Sequence, residues 1–347
     1  MKKLALIFIA ILMLACSSPW ANGQAPFGNM QPGPGAPPMA FTPPGFPGGY
    51  GVPQPYGCPP PCAQMCGPLA FYTGYMVSDK RGFQYKREPE DDASGPDLVF
   101  RFPLQGVVLA TSGTFPLSEN LGVIAAGGWL LPNKTVGDFN QEGTVETPLT
   151  SHLEADSQWG IIDGAGYFTF FNAGWGCFQF LGGFRWDHLT SRQTISSHNA
   201  GGPGTFTSAA TNDITVDAYI PYFGFQLLQT STCSRFAARV IGFPVAPGTV
   251  RFNESSSGTE DGVAFLDGGE FNHPFKRSYF IEASAEYSMK ILGDISLGGF
   301  ALFNTLHGKT DFGTFVGQEE SRSELINLTR LTWTFGGSIS YSFSTGF

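Results

Sequence analysis

Bulky and small residues alternate to the very end of the chain. Leu331, Trp333, Phe335, Gly337, Ile339, Tyr341, Phe343, Thr345 and Phe347 take every second place, with Arg330, Thr332, Thr334, Gly336 and four serines between them. Successive side chains of a β-strand point to opposite faces, so the pattern predicts a strand with one oily and one polar face. Similar stretches predict strands over 68–79, 97–112, 120–131, 157–172, 176–194, 212–231, 234–252, 276–290, 293–309 and 328–346. Their connections alternate in length. PLSENL, NAGW, TSTCS and ILGD are short, whereas KREPEDDASG, NKTVGDFNQEGTVETPLTSHLEAD, SHNAGGPGTFTSAAT, NESSSGTEDGVAFLDGGEFNHP and GTFVGQEESRSE are long and mostly acidic.

Composition narrows what such strands are for. Only 14% of the 347 residues are charged, against about 25% in ordinary soluble domains. The net charge is −9, with no basic segment to suit nucleic acid. After the first residues no apolar run approaches the roughly 20 residues of a membrane-spanning helix. The start, MKKLALIFIAILMLAC, has the charged-then-apolar layout of an export signal. Residues 1–23 are expected to be that signal, cleaved after Gly23, with lipid attachment at Cys16 as the alternative. Residues 24–67 carry no charge and are dominated by Pro, Gly and Gln, which predicts an extended or disordered arm. It is either a spacer or a recognition segment for a periplasmic partner.

An exported chain without apolar helices crosses a membrane only as a closed barrel. The alternating strands, the alternating loop lengths and the aromatic terminal strand resemble the outer-membrane β-barrel proteins of Gram-negative bacteria. That resemblance covers residues 68–347 and implies an all-β, closed antiparallel transmembrane barrel with short periplasmic turns and long outer loops. About ten strands are expected, with eight or twelve as alternatives. Ile339, Tyr341, Phe343 and Phe347 are similar to the C-terminal signal that the barrel assembly machinery reads in such proteins. GGFRWDHL (182–189) is faintly similar to strands of Legionella-type major outer-membrane proteins. The resemblance implies a place in the outer membrane, with its lipid and lipopolysaccharide as partners.

If the bulky face meets lipid, the other face lines the bore. This phasing turns Arg101, Asp163, Arg185, Asp187, Asp217, Arg239, Glu282, Glu286 and Arg330 inward. A narrow barrel forces such charges to pair, either as the constriction of a small diffusion pore or as an ion-pair plug. Cys177 and Cys233 stand at neighbouring periplasmic strand ends and are expected to form a disulfide. Asp187-His188 is the only echo of a barrel protease, and Ser196 to Asn199 has the letters of a lipase motif in the wrong order. No catalytic residue, cofactor or metal site is therefore expected, and the chain is expected not to be an enzyme. The expected role is a porin-like or structural surface barrel. The alternative is an adhesion barrel acting through acidic loops, among them Glu260, Asp261, Asp267 and Glu270, and an outer-membrane hydrolase comes third.

Overall fold

A computed structural model describes residues 67–343, apart from 80, 91–96, 143–149, 174–175, 199–205, 232–233, 261 and 318–320. The expected signal, the Pro-rich arm, Cys233 and Phe347 lie outside the described residues. Fourteen antiparallel strands are present among the described residues: β1 (Gly67–Val77), β2 (Phe83–Pro89), β3 (Asp97–Phe102), β4 (Gly106–Pro116), β5 (Leu121–Glu142), β6 (Thr150–Ala173), β7 (Gly176–His198), β8 (Phe206–Thr230), β9 (Ser234–Phe243), β10 (Gly248–Glu260), β11 (Val263–Leu292), β12 (Ile295–Thr310), β13 (Gly313–Gly317) and β14 (Ser321–Phe343).

Four pairs of these are single barrel strands broken in the middle: β1/β2, β3/β4, β9/β10 and β12/β13. Both members of a pair lie between the same two neighbouring strands. β1 and β2, for example, both pair with β14. Fourteen less four gives a ring of ten, closed by β1 against β14 from Gly67↔Phe343 to Val77↔Trp333. The expected strand number therefore holds, and the breaks are additional. The break after Val77 inserts three residues, because six steps from Val77 to Phe83 match three from Trp333 to Arg330. The break in the seventh barrel strand falls between Pro244 and Pro247, which have no N–H to offer the ladder.

The outward face carries an apolar band. On β14 it runs from Tyr341 through Ile339 and Phe335 to Leu331, and the adjoining β12 and β11 add Leu297, Phe303, Ile281 and Tyr287. Ten residues at about 3.4 Å each, tilted by about 40°, rise roughly 25 Å, the height of a membrane-facing belt. Trp186, Tyr219, Tyr279 and His307 stand at its upper edge, with Tyr279 and His307 stacked at 5.1 Å. The alternation is therefore a lipid-facing one.

Above this belt the wall continues, and there the expected long loops prove to be mostly strand. β5 runs on to Glu142 and β6 resumes at Thr150, while β10 and β11 meet at a turn holding Gly262. Beyond the membrane the outer face meets water, so the outward row becomes polar and the oily rhythm that marks a transmembrane strand disappears. Asp267 and Glu270 lie on opposite faces of the β10–β11 hairpin, so they do not share a single loop site.

Candidate functional site

The bore is crossed by side chains at three heights. At mid-depth Arg185 on β7 donates from Nη2 to Asp163 Oδ2 at 2.5 Å and from Nη1 to Glu282 Oε2 at 2.5 Å. Arg239 Nη2 donates to Glu282 Oε1 at 2.6 Å, and the Tyr222 hydroxyl donates to Asp163. Arg330 on β14 grips Asp187 on β7 through two bonds, Nη1 to Oδ1 at 2.6 Å and Nη2 to Oδ2 at 2.5 Å. Trp159 Nε1 also donates to Asp187, at 2.9 Å, and its ring lies 4.7 Å beneath the Arg330 guanidinium. Asn304 joins the two groups, donating to Glu282 at 3.2 Å and accepting from Arg330 at 2.9 Å.

β7 and β14 are five places apart in a ring of ten, so the Arg330–Asp187 pair spans the full diameter. Three arginines face three carboxylates, so each buried charge has a partner of opposite sign.

A second bridge lies above, beyond the membrane. Arg87 on β2 donates from Nε to Glu324 at 2.8 Å and from Nη1 to Glu254 on β10 at 2.5 Å, between the rings of Phe252 and Phe315. Burial alone would lower the pKa of Arg87, but Glu254 and Glu324 more than offset this and hold it raised. Tyr85 donates to Gln193 on β7 at 2.8 Å. Around these groups Phe83, Phe100, Phe102, Phe252, Phe271 and Phe315 pack into an apolar core inside the upper barrel. Near the periplasmic end Glu286 accepts from Tyr72 at 3.2 Å and from Ser338 at 3.1 Å.

Seven of the nine expected inward charges thus face the bore: Asp163, Arg185, Asp187, Arg239, Glu282, Glu286 and Arg330. Two do not. Arg101 lies across from Gln84 and Asp138, on the face opposite the buried Phe100 and Phe102. Asp217 lies on the outer wall, where its Oδ1 meets His188 Nδ1 at 2.7 Å. Both errors have one cause. Above the lipid belt the interior is filled by bulky residues and the outer face is wet, so the rule that bulk points outward reverses. The residues missed by sequence reasoning are the neutral connectors Asn304, Tyr222 and Trp159, and the Arg87 bridge. FQYKREP does alternate, but its charges made it read as loop.

Ile339 and Tyr341 stand exposed on the outer face; Phe343 is paired with Gly67. Cys177 is buried and disulfide-bonded. The Asp187-His188 echo separates into an inward acid and an outward histidine.

No family profile matches the chain, and no curated protein matches it. Among solved structures it is similar to the outer-membrane protease OmpT of Escherichia coli. The TM-score is 0.56 at 10% identity, over 80% of this chain and 96% of that one. A FadL homologue of Pseudomonas aeruginosa (TM-score 0.25, 8% identity) and the translocator domain of the autotransporter NalP of Neisseria meningitidis (0.30, 10%) each match over 80% of this chain and 90% of their own. The chain has the fold of an outer-membrane β-barrel. None of these matches carries the likeness of residues 182–189 to Legionella-type proteins any further. The OmpT match does overturn one expectation. Its likeness is one of fold alone, but it is the fold of an enzyme, and the expectation that this chain is not an enzyme is withdrawn.

Proposed function

We propose that this is a closed surface barrel: a membrane-held pedestal that works at its extracellular rim and not by passage through its bore. The observation that carries this is the Arg330–Asp187 pair, which ties diametrically opposite strands together at the upper edge of the apolar belt. The Arg87 bridge and the aromatic core block the route again above it. The rim itself is acidic. Setting aside Arg87, Glu254 and Glu324, which pair inside the barrel, segments 86–97, 253–270 and 318–324 contain five, four and two carboxylates, against one, no and one Lys or Arg. Such an edge suits a cationic partner, reached first through long-range attraction. The exposed row of Ile339 and Tyr341 supports engagement of the last strand by the assembly machinery, and Cys177 supports a periplasmic bridge to Cys233.

Purified protein in a planar bilayer tests the reading. No steady conductance is expected, and stable single-channel steps from the wild type would overturn it. The fold shared with a protease favours a second reading, hydrolysis of peptides at the same rim. Cleavage of a basic peptide by the purified barrel, lost when the tip segments are exchanged for neutral turns, would select that reading over simple adhesion.

A further inference from the structure

On the outer wall, between β11 and β12, a groove of about 440 Å³ is lined by Lys276, Arg277, Lys309, Asp311 and Phe312. Its chemistry is built by two irregularities in the backbone. Phe275 pairs with Thr310 and Arg277 with Lys309, so Lys276 is an extra residue in the ladder, a β-bulge. A bulge breaks strict alternation, and here both consecutive cations, Lys276 and Arg277, are exposed. The second irregularity is the break between β12 and β13, which sets Asp311 and the exposed Phe312 at the groove's edge. Lys276 Nζ is held by Asp311 Oδ2 at 2.9 Å. Among the described residues neither Arg277 nor Lys309 has an ion-pair partner. Three cations against one carboxylate leave an excess of two positive charges on a protein whose net charge is −9.

The height of the groove identifies its ligand. One pleat below Arg277 and Lys309, on the same face, lies the stacked Tyr279–His307 pair; below that come Ile281 and the apolar band. The cations therefore stand just above the hydrocarbon, at the level of the outer-leaflet head groups. We propose that this groove binds a phosphate group of an outer-leaflet glycolipid, the lipid A end of lipopolysaccharide. Arg277 and Lys309 are the direct phosphate donors, forming charge-assisted bonds. Lys276 adds charge from its place against Asp311. Phe312 supplies an apolar wall on which a sugar ring or an acyl chain can rest.

The test uses the full chain in detergent, with binding of lipid A followed by native mass spectrometry. Lipid A is expected to bind, and the combined variant Lys276→Gln, Arg277→Gln, Lys309→Gln should bind it at least about tenfold more weakly. Dephosphorylated lipid A should show the same loss on the wild type. Inorganic phosphate at equal concentration should fail to displace the lipid. Arg192→Gln, an exposed charge elsewhere on the wall, should leave binding unchanged. Undiminished binding by the combined variant, or equal binding of the dephosphorylated lipid, overturns the proposal. Full displacement by inorganic phosphate does so too, since it makes the groove a free-anion site. If the combined variant fails to fold, Arg277→Gln and Lys309→Gln separately give the same readout, because both side chains point away from the barrel's interior.

Discussion

Arg185 donates to three oxygens of two carboxylates, and that makes it the residue on which the mid-depth cluster turns. Remove its guanidinium and Asp163 and Glu282 are left buried, one with a tyrosine and the other with Arg239 and Asn304. Breaking a buried pair from one side costs about 3–5 kcal/mol, since the orphaned charge stays desolvated. Arg185→Ala is accordingly expected to lower the unfolding free energy by about that much, read from urea unfolding in lipid vesicles. Arg192→Ala is the control: its 3.8 Å pair with Asp213 is exposed, so the change should stay under about 1 kcal/mol. Equal effects would mean the cluster is hydrated and does not act as a plug. Arg185 was legible in the sequence because it sits between Phe184 and Trp186 within the lipid belt, and its acids because each follows an outward isoleucine, Ile162 or Ile281, where charge can face only inward. Arg101 and Asp217 were not, because outside the belt water accepts charge on the outer face and the pattern stops discriminating. Asn304 was illegible for another reason. A neutral amide between Phe303 and Thr305 carries no charge to mark it, and its role appears only when Glu282 and Arg330 are both in place.

The broken strands show how an element survives a gap in its ladder. At the β9/β10 break Ser278 Oγ accepts from the Ala246 N–H and donates to the Ala246 carbonyl, both at 2.7 Å. At the β3/β4 break Ser78 does the same for Leu104, accepting at 2.8 Å and donating at 2.9 Å. Each hydroxyl replaces two backbone groups that the break has left without strand partners. Ala246 and Leu104 are buried, so water does not replace the serine. Ser278→Ala is expected to destabilise the barrel by about 1–3 kcal/mol, the cost of unsatisfied buried backbone groups, with the fold retained by circular dichroism. A change within a few tenths of a kcal/mol would mean the break is solvated. At this scale the ten barrel strands were readable from periodicity, but 234–252 read as one strand although Pro244 and Pro247 stand at its break. Residues 97–112 read as one run because the even positions Phe100, Phe102 and Val108 all face inward on both sides of the gap.

The whole molecule is taller than the membrane it sits in. The apolar band takes up β14 from Tyr341 to Leu331, yet the strand continues to Ser321, so as much wall again stands in the water above. In the upper part of the belt the bore is crossed by paired charge; above it, aromatic rings pack into a core. That division follows from the surroundings. Charges turned to the bore are shielded from hydrocarbon, while in the upper wall the outer face is wet and oily side chains find cover only inside. The orientation was legible from connection lengths, because the tight turns and both barrel ends collect on one side. The height was not, since strands wet on their outer face lose the rhythm that betrays them. A topology experiment tests both together. Gly262, at φ +82° with open space where a side chain would be, lies at the tip of the β10–β11 hairpin, and Gly293, at φ +53°, lies in the turn between β11 and β12. A short epitope inserted beside either should leave the barrel folded, because neither site has neighbours to displace. On intact cells antibody should reach the tag beside Gly262, while the tag beside Gly293 should respond only after the outer membrane is permeabilised. Labelling of both on intact cells, or of the second alone, would mean that the tall wall does not face the exterior and that the acidic rim meets the periplasm instead.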